Sequence, residues 1–267
     1  PQGTTFLTDT VRLSVGSILT DSVYCNYILT KESSPYIIEN TINIPNECSI
    51  IIDPGVEIYL KDDVDILVNG KIIFNGLTEN PISIFSHNKS WGGILLENCT
   101  DKSIFNHVNF HNSTYGNDSS MINATISSYY SEVEVNNCKF INNARSIYGY
   151  YGDVSVRNCI FYESAGEKVN LQYSNSIVED CILYYTYGDN DAIDYDGVFN
   201  GIIRNNILYG GEDDGLDIGR IDATSCNNVL LEGNTIYSFV DKGVSIGEGS
   251  QDINISYNTI TTSRMGI

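Results

Sequence analysis

Val133-Glu-Val-Asn-Asn-Cys-Lys-Phe140 aligns, without gaps, with Val154-Ser-Val-Arg-Asn-Cys-Ile-Phe161 and Ser176-Ile-Val-Glu-Asp-Cys-Ile-Leu183. The series continues through Gly201-Ile-Ile-Arg-Asn-Asn-Ile-Leu208, Val229-Leu-Leu-Glu-Gly-Asn-Thr-Ile236 and Ile253-Asn-Ile-Ser-Tyr-Asn-Thr-Ile260. The closing apolar residues Phe140, Phe161, Leu183, Leu208, Ile236 and Ile260 are spaced by 21, 22, 25, 28 and 24 residues. Two places earlier a second column changes from Cys138, Cys159 and Cys181 to Asn206, Asn234 and Asn258. Fixed recurrence at this length is the mark of stacked structural repeats.

Within each unit, short alternating runs of β-branched and aromatic residues are broken by Asn, Asp and Gly turns, and no helical period appears. Two or three strands per unit, coil stacked on coil at about 4.8 Å, make an all-β fold: a right-handed parallel β-helix (solenoid) of about ten coils. Apolar columns fill its core, and the asparagine column can hydrogen-bond along the axis. Ile42 to Ile58, Val64 to Phe74, and Trp91 to Phe110 fit the same pattern upstream. Residues 1–40 lack the repeat and read as an N-terminal cap or edge-covering segment, with the solenoid over 41–267. The chain stops in mid-coil at Arg264-Met265-Gly266-Ile267, so either the sequence is cut short there or its uncapped edge docks onto another molecule, axial self-association through the open coil being one such contact.

The 267 residues carry 34 Asp plus Glu against 14 Lys plus Arg. That field repels phosphate backbones and anionic membranes, which argues against a nucleic-acid partner. No apolar run approaches the ~18 residues of a membrane span. Sequons start at Asn88, Asn98, Asn112, Asn117, Asn123 and Asn254 and point, with the acidic surface, to a secreted or cell-surface location. Of the seven cysteines, Cys138, Cys159 and Cys181 share one repeat position and read as buried packing thiols. Cys25, Cys48, Cys99 and Cys226 are left open.

A second repeated frame carries charge. Asn190-Asp191-Ala192-Ile193-Asp194-Tyr195-Asp196 is followed by Asp213-Asp214-Gly215-Leu216-Asp217-Ile218-Gly219, then by Asp241-Lys242-Gly243-Val244-Ser245-Ile246-Gly247. Strand parity sends Leu216 and Ile218 inward and Asp217 outward, with Asp194, Ser245 and Asn170 beside it in neighbouring coils. Asp191, Asp213 and Asp214 fall in the turns just before these strands. Outward aspartates are ordinarily turn formers. Five aligned ones (Asp191, Asp194, Asp213, Asp214, Asp217) repel one another unless a cation sits among them, and hard oxygen donors in that number suit Ca²⁺.

An acidic coil, then Asp213-Asp214-x-x-Asp217, then a lysine one coil later resembles the family 9 polysaccharide lyases, which are pectate lyase-like parallel β-helices. The resemblance covers roughly residues 130–267. It implies a calcium site at these aspartates, with Lys242 as the catalytic Brønsted base. One departure is that Lys242 precedes its strand, whereas the family's lysine lies within it. Asp241 to Glu248 also resembles β-helix proteins associated with CotH-type kinases. The implied chemistry is β-elimination on a uronate-containing, acidic polysaccharide, where charge stabilisation beside the uronate carboxylate lowers the barrier to proton removal. Arg220 either grips a second carboxylate as a substrate-binding residue or is a solvated surface arginine. Tyrosines clustered at Tyr148, Tyr150 and Tyr151, and at Tyr184, Tyr185 and Tyr187, could line a sugar groove or pack the solenoid. The alternatives to a lyase are a non-catalytic, calcium-stapled adhesin or carbohydrate-binding module and a fibre protein stacking head to tail.

Overall fold

The computed structural model describes residues 16–20, 23–114, 121, 123–247, 249–261 and 264–267. The sequon at Asn117, Glu248 and the first fifteen residues lie outside these. Three long sheets, of 11, 10 and 10 strands, run the length of the molecule, and their strand-to-strand pairings along the axis are parallel. The chain visits them in turn, so each turn of the solenoid adds one strand to each sheet. Nine complete coils run from Ile42–Ile44 to Thr259–Thr261. Below them Ser17–Leu19, Tyr27–Leu29 and Tyr36–Ile38 already pair with the first coils. Solenoid pairing thus starts before residue 41. Among the described residues the one helix is a three-residue 3₁₀ turn, Lys31–Ser33, and no helix is long and apolar enough to cross a membrane.

The interior columns follow the sequence alignment. Phe140 pairs with Phe161, Phe161 with Leu183, Leu183 with Leu208, Leu208 with Ile236 and Ile236 with Ile260. Most of these side chains are buried, and like packs on like: the rings of Phe110, Phe140 and Phe161 stack at 5.0 and 4.8 Å. The residue before the Cys/Asn column is left-handed in every coil: Asn137, Asn158, Asp180, Asn205, Gly233 and Tyr257 have φ between 53° and 66°. This is why Asn, Asp and Gly dominate that position, since they tolerate this backbone best.

The column itself solves the problem of buried peptide groups at the corner. Asn206 donates its side-chain amide to Val178 O (2.9 Å), Asn234 to Ile203 O (2.8 Å) and Asn258 to Leu231 O (2.7 Å). Each carbonyl oxygen in turn accepts from the coil before, as Asn234 Oδ1 does from the Asn206 backbone (3.0 Å). Upstream, where the column is cysteine, the thiols of Cys138, Cys159 and Cys181 are free, buried and directed at backbone carbonyls. They are packing thiols, as their shared position implies. Cys226 is also a free buried thiol and Cys99 a half-buried one, whereas Cys25 and Cys48, one coil apart, are joined in a disulfide.

Candidate metal and carbohydrate site

The acidic residues converge where the turn enters the sheet that contains Val169–Gln172, Ile193–Asp196, Leu216–Ile221 and Val244–Ile246. In-register pairing places Asn170 beside Asp194, Asp194 beside Asp217 and Asp217 beside Ser245, all facing outward. The inward neighbours Ile193, Tyr195, Leu216 and Ile218 are fully buried. This alternation is what holds the aspartates on one surface.

A second column stands in the turn before these strands, and it is a ladder. The Asp214 backbone N–H donates to Asp191 Oδ1 (3.0 Å), and the Lys242 N–H donates to Asp214 Oδ1 (2.7 Å). Each aspartate therefore caps the peptide of the next coil, and the second oxygen of Asp214 also takes the Lys242 ammonium group. Oxygen atoms of Asp191, Asp194 and Asp217 lie within 4.8 Å of one another, and so do those of Asp191, Asp213 and Asp214. Asp191 belongs to both groups. The five aspartates expected from the sequence thus fall into two overlapping triads.

Their electrostatics record the crowding. Burial, reinforced by Asp217 and Asp213, pushes the Asp191 carboxyl up to about 8. Burial, then the charges of Asp196, Asp191 and Asp217, holds Asp194 well above the ordinary carboxylate range. Asp213 and Asp217 are raised as well, chiefly by burial, with a hydrogen bond from Ser245 partly offsetting the effect at Asp217. Asp194 accepts a hydrogen bond from Asn170 Nδ2 on one oxygen (2.6 Å), while its buried Oδ1 has no partner. A buried carboxylate oxygen without a donor is costly. With hard oxygens on every side, a divalent cation such as Ca²⁺ fits this donor set.

Lys242 stands at the edge of the cluster and is held on two sides. Its Nζ lies 2.6 Å from Asp241 Oδ2 and 3.1 Å from Asp214 Oδ2. The hydrogen bond to Asp241 raises its pKa most, burial opposes it, and Asp214 adds to the rise, so the amine is protonated at neutral pH. Arg220 is exposed at the far end of Leu216–Ile221, in a small hairpin with Ser225, and makes no ion pair among the described residues. It shares a strand with Asp217 without touching the carboxylates. Asp196 is the residue that the five-aspartate reading left outside: it is the foremost charge acting on Asp194, and its Oδ1 closes over Gly219. Its parity with Asp194, two residues earlier, was the available signal.

The tyrosines mostly serve one another. Tyr130, Tyr151 and Tyr173 stack at 5.3 and 4.4 Å, and Tyr162, Tyr184 and Tyr209 at 5.5 and 5.2 Å. Their faces are spent in these ladders, leaving the rims to solvent, so they offer little flat surface for a sugar ring. Tyr148 and Tyr150 tilt against Tyr129 on the same sheet as the acidic cluster.

A search of curated proteins returns no significant match. Among solved structures, the Streptococcus pneumoniae surface protein and adhesin PfbA is similar at 9% identity and a TM-score of 0.41, covering 91% of this chain and 90% of that one. The catalytic domain of a GH87 α-1,3-glucanase is similar at 9% identity and 0.32, covering 84% and 61%. A variant of the periplasmic alginate epimerase AlgG is similar at 7% and 0.34, covering 86% and 74%. The family model for the right handed beta helix region matches residues 124–267. With the three parallel sheets and the interior ladders, that match over more than half its length shows that the chain belongs to the right-handed β-helix family.

Proposed function

We propose that this protein engages a uronate-containing polysaccharide through Ca²⁺ held by Asp191, Asp194, Asp213, Asp214 and Asp217. The observation that carries this reading is the unpartnered, buried Oδ1 of Asp194, set among the oxygens of Asp191 and Asp217. When bound, the ion would supply the positive charge that a uronate carboxylate needs on a surface of net charge −20. The protein's own residues complete the grip. Lys242, kept protonated by Asp241 and Asp214, is a cationic contact for a second carboxylate, and the exposed Arg220 is a candidate for a third. The Cys25–Cys48 disulfide supports a secreted or cell-surface location, since such bonds persist in oxidising compartments.

A second reading is the pectate lyase-like one, with Lys242 as the base for β-elimination. It is favoured by the contact between Lys242 and Asp214, a candidate ligand, which puts the amine at the rim of the site. A base must be neutral, and two carboxylates oppose that. Binding without cleavage is therefore the reading that the geometry supports better.

Calorimetry with Ca²⁺, followed by retention on polygalacturonate and alginate with and without chelator, tests the proposal. Chelator-sensitive retention that is lost in Asp194→Asn supports it. Retention indifferent to chelator, or no Ca²⁺ uptake at all, overturns it. An ultraviolet signal from unsaturated sugar ends, absent in Lys242→Ala, would make the protein a lyase.

A further inference from the structure

Lys168 is fully buried, yet it forms no ion pair among the described residues. Its Nζ donates to Ser164 Oγ (2.6 Å) and to Tyr185 O (2.9 Å), and Ser164 Oγ donates onward to Gly166 O (2.8 Å). One coil over, the buried hydroxyl of Thr186, bridged to Ser164 through the backbone, has no hydrogen-bond partner. This is a polar cluster inside an apolar core, and its one ionisable member lacks a counter-ion among the described residues. Burial of this kind favours the neutral amine over the ammonium ion. Burial lowers its pKa to about 7, against an upward pull from the charges of Glu163 and Glu167.

Ser164 separates this amine from solvent. It forms part of the floor of a cleft of about 400 Å³, lined by Lys89, Asn112, Asn142, Glu163 and Tyr187. The cleft runs along the corner that leads to the acidic cluster, and Tyr187 and Glu163 are hydrogen-bonded across it (3.0 Å). Next in the chain, the exposed Ala165 has a backbone N–H with no partner among the described residues. Ser164 is itself buried, with a small exposed share at the cleft; once its proton turns from Gly166 O to the neutral amine 2.6 Å away, the hydroxyl becomes a nucleophile beside a free N–H donor.

We propose that Ser164 and Lys168 form a nucleophile–base pair that hydrolyses carboxylic esters borne on sugars, the amide- and hydroxyl-lined cleft being suited to the sugar. Ser164 Oγ bonds to the acyl carbon as its proton passes to Lys168 Nζ. The carbonyl oxygen takes up the negative charge beside the Ala165 N–H. Collapse breaks the bond to the sugar oxygen, which leaves with the proton from Lys168. Water then attacks the acyl-serine, giving a proton to Lys168 that returns to Ser164 Oγ, and the free acid departs. No metal takes part, so this activity stands or falls apart from the calcium site.

The test uses a fluorophosphonate probe, p-nitrophenyl acetate and an O-acetylated oligosaccharide on the whole chain. The expected results are labelling mapped to Ser164, none in Ser164→Ala, and hydrolysis that rises through pH about 7 and is indifferent to chelator. Lys168→Met should lower the rate about 100-fold, with circular dichroism reporting whether the solenoid is intact. If that variant unfolds, the pH profile of the wild type decides the role of the lysine. A folded wild type that neither takes the probe nor cleaves either ester overturns the proposal. So do rates equal in Ser164→Ala, or a flat pH profile.

Discussion

Asp214 holds Lys242 twice, accepting its backbone N–H at 2.7 Å and its ammonium group at 3.1 Å. The lysine thereby acts as an internal cation at the edge of the proposed calcium site. Replacing it by methionine removes that competitor. Lys242→Met should bind Ca²⁺ more tightly, by about threefold to tenfold, the range expected for losing a partly solvated charge a few ångströms away. Calorimetry on the two proteins at one ionic strength measures it, and weaker binding would show that Lys242 supports the site.

The pH dependence of the acidic site has a definite sign. Asp191 titrates near 8 in the fold and near the ordinary 3.8 when unfolded, so between those values the native state holds more protons. Without metal, stability should therefore be highest at the acid end and decline as pH rises from about 4 to about 8. Saturating Ca²⁺ should oppose the decline, and its affinity should climb with pH across the same range as protons leave. Thermal melts from pH 4 to pH 9, with and without the ion, check both statements.

Lys168 gives the opposite slope in a different window. Its folded pKa of about 7 lies below the 10.5 of the free side chain, so the unfolded chain holds the extra proton between them. Wild-type stability minus that of Lys168→Met should rise between pH 7 and pH 10.5, by about 3–5 kcal/mol. Denaturant unfolding of both proteins across that range measures the difference.

In the asparagine ladder, Asn234→Leu should cost about 2–4 kcal/mol, since the Ile203 carbonyl and the Asn206 N–H would stay buried without partners. A fall in melting temperature without loss of calcium binding is the expected outcome.

Thiol counting checks the cysteine assignments. Five thiols should titrate after denaturation without reductant, and seven with it. Reducing Cys25–Cys48, which spans 23 residues, should lower stability by about 3 kcal/mol.

The fold was legible because a solenoid writes its interior into the sequence once per coil. Phe140 to Ile260 and Cys138 to Asn258 are columns in space for the same reason that they are columns in alignment. The outward register of Asp194, Asp217 and Ser245 follows from the same strand parity. What could not be read this way depends on side-chain direction at the turns. The grip of Asp241 and Asp214 on Lys242 is set by rotamers, not by spacing. Nothing in the sequence sets Lys168 apart from a solvated lysine beside Glu167, and only the closing of the coil over it makes it a buried amine. The Cys25–Cys48 bond joins the first full coil to a stretch with no repeat to align.

The Asp191–Asp214–Lys242 ladder has a consequence for how such a site can change. Neither group of close oxygens comes from a single coil: each draws on the coil of Asp191 and on the next one. The unit of inheritance is therefore the junction of two neighbouring turns. Loss or duplication of a whole turn elsewhere along the rod leaves that junction intact. A single-residue deletion between Asp196 and Asp213 would shift the second turn by one place, sending Asp217 into the core and an isoleucine or leucine out to solvent.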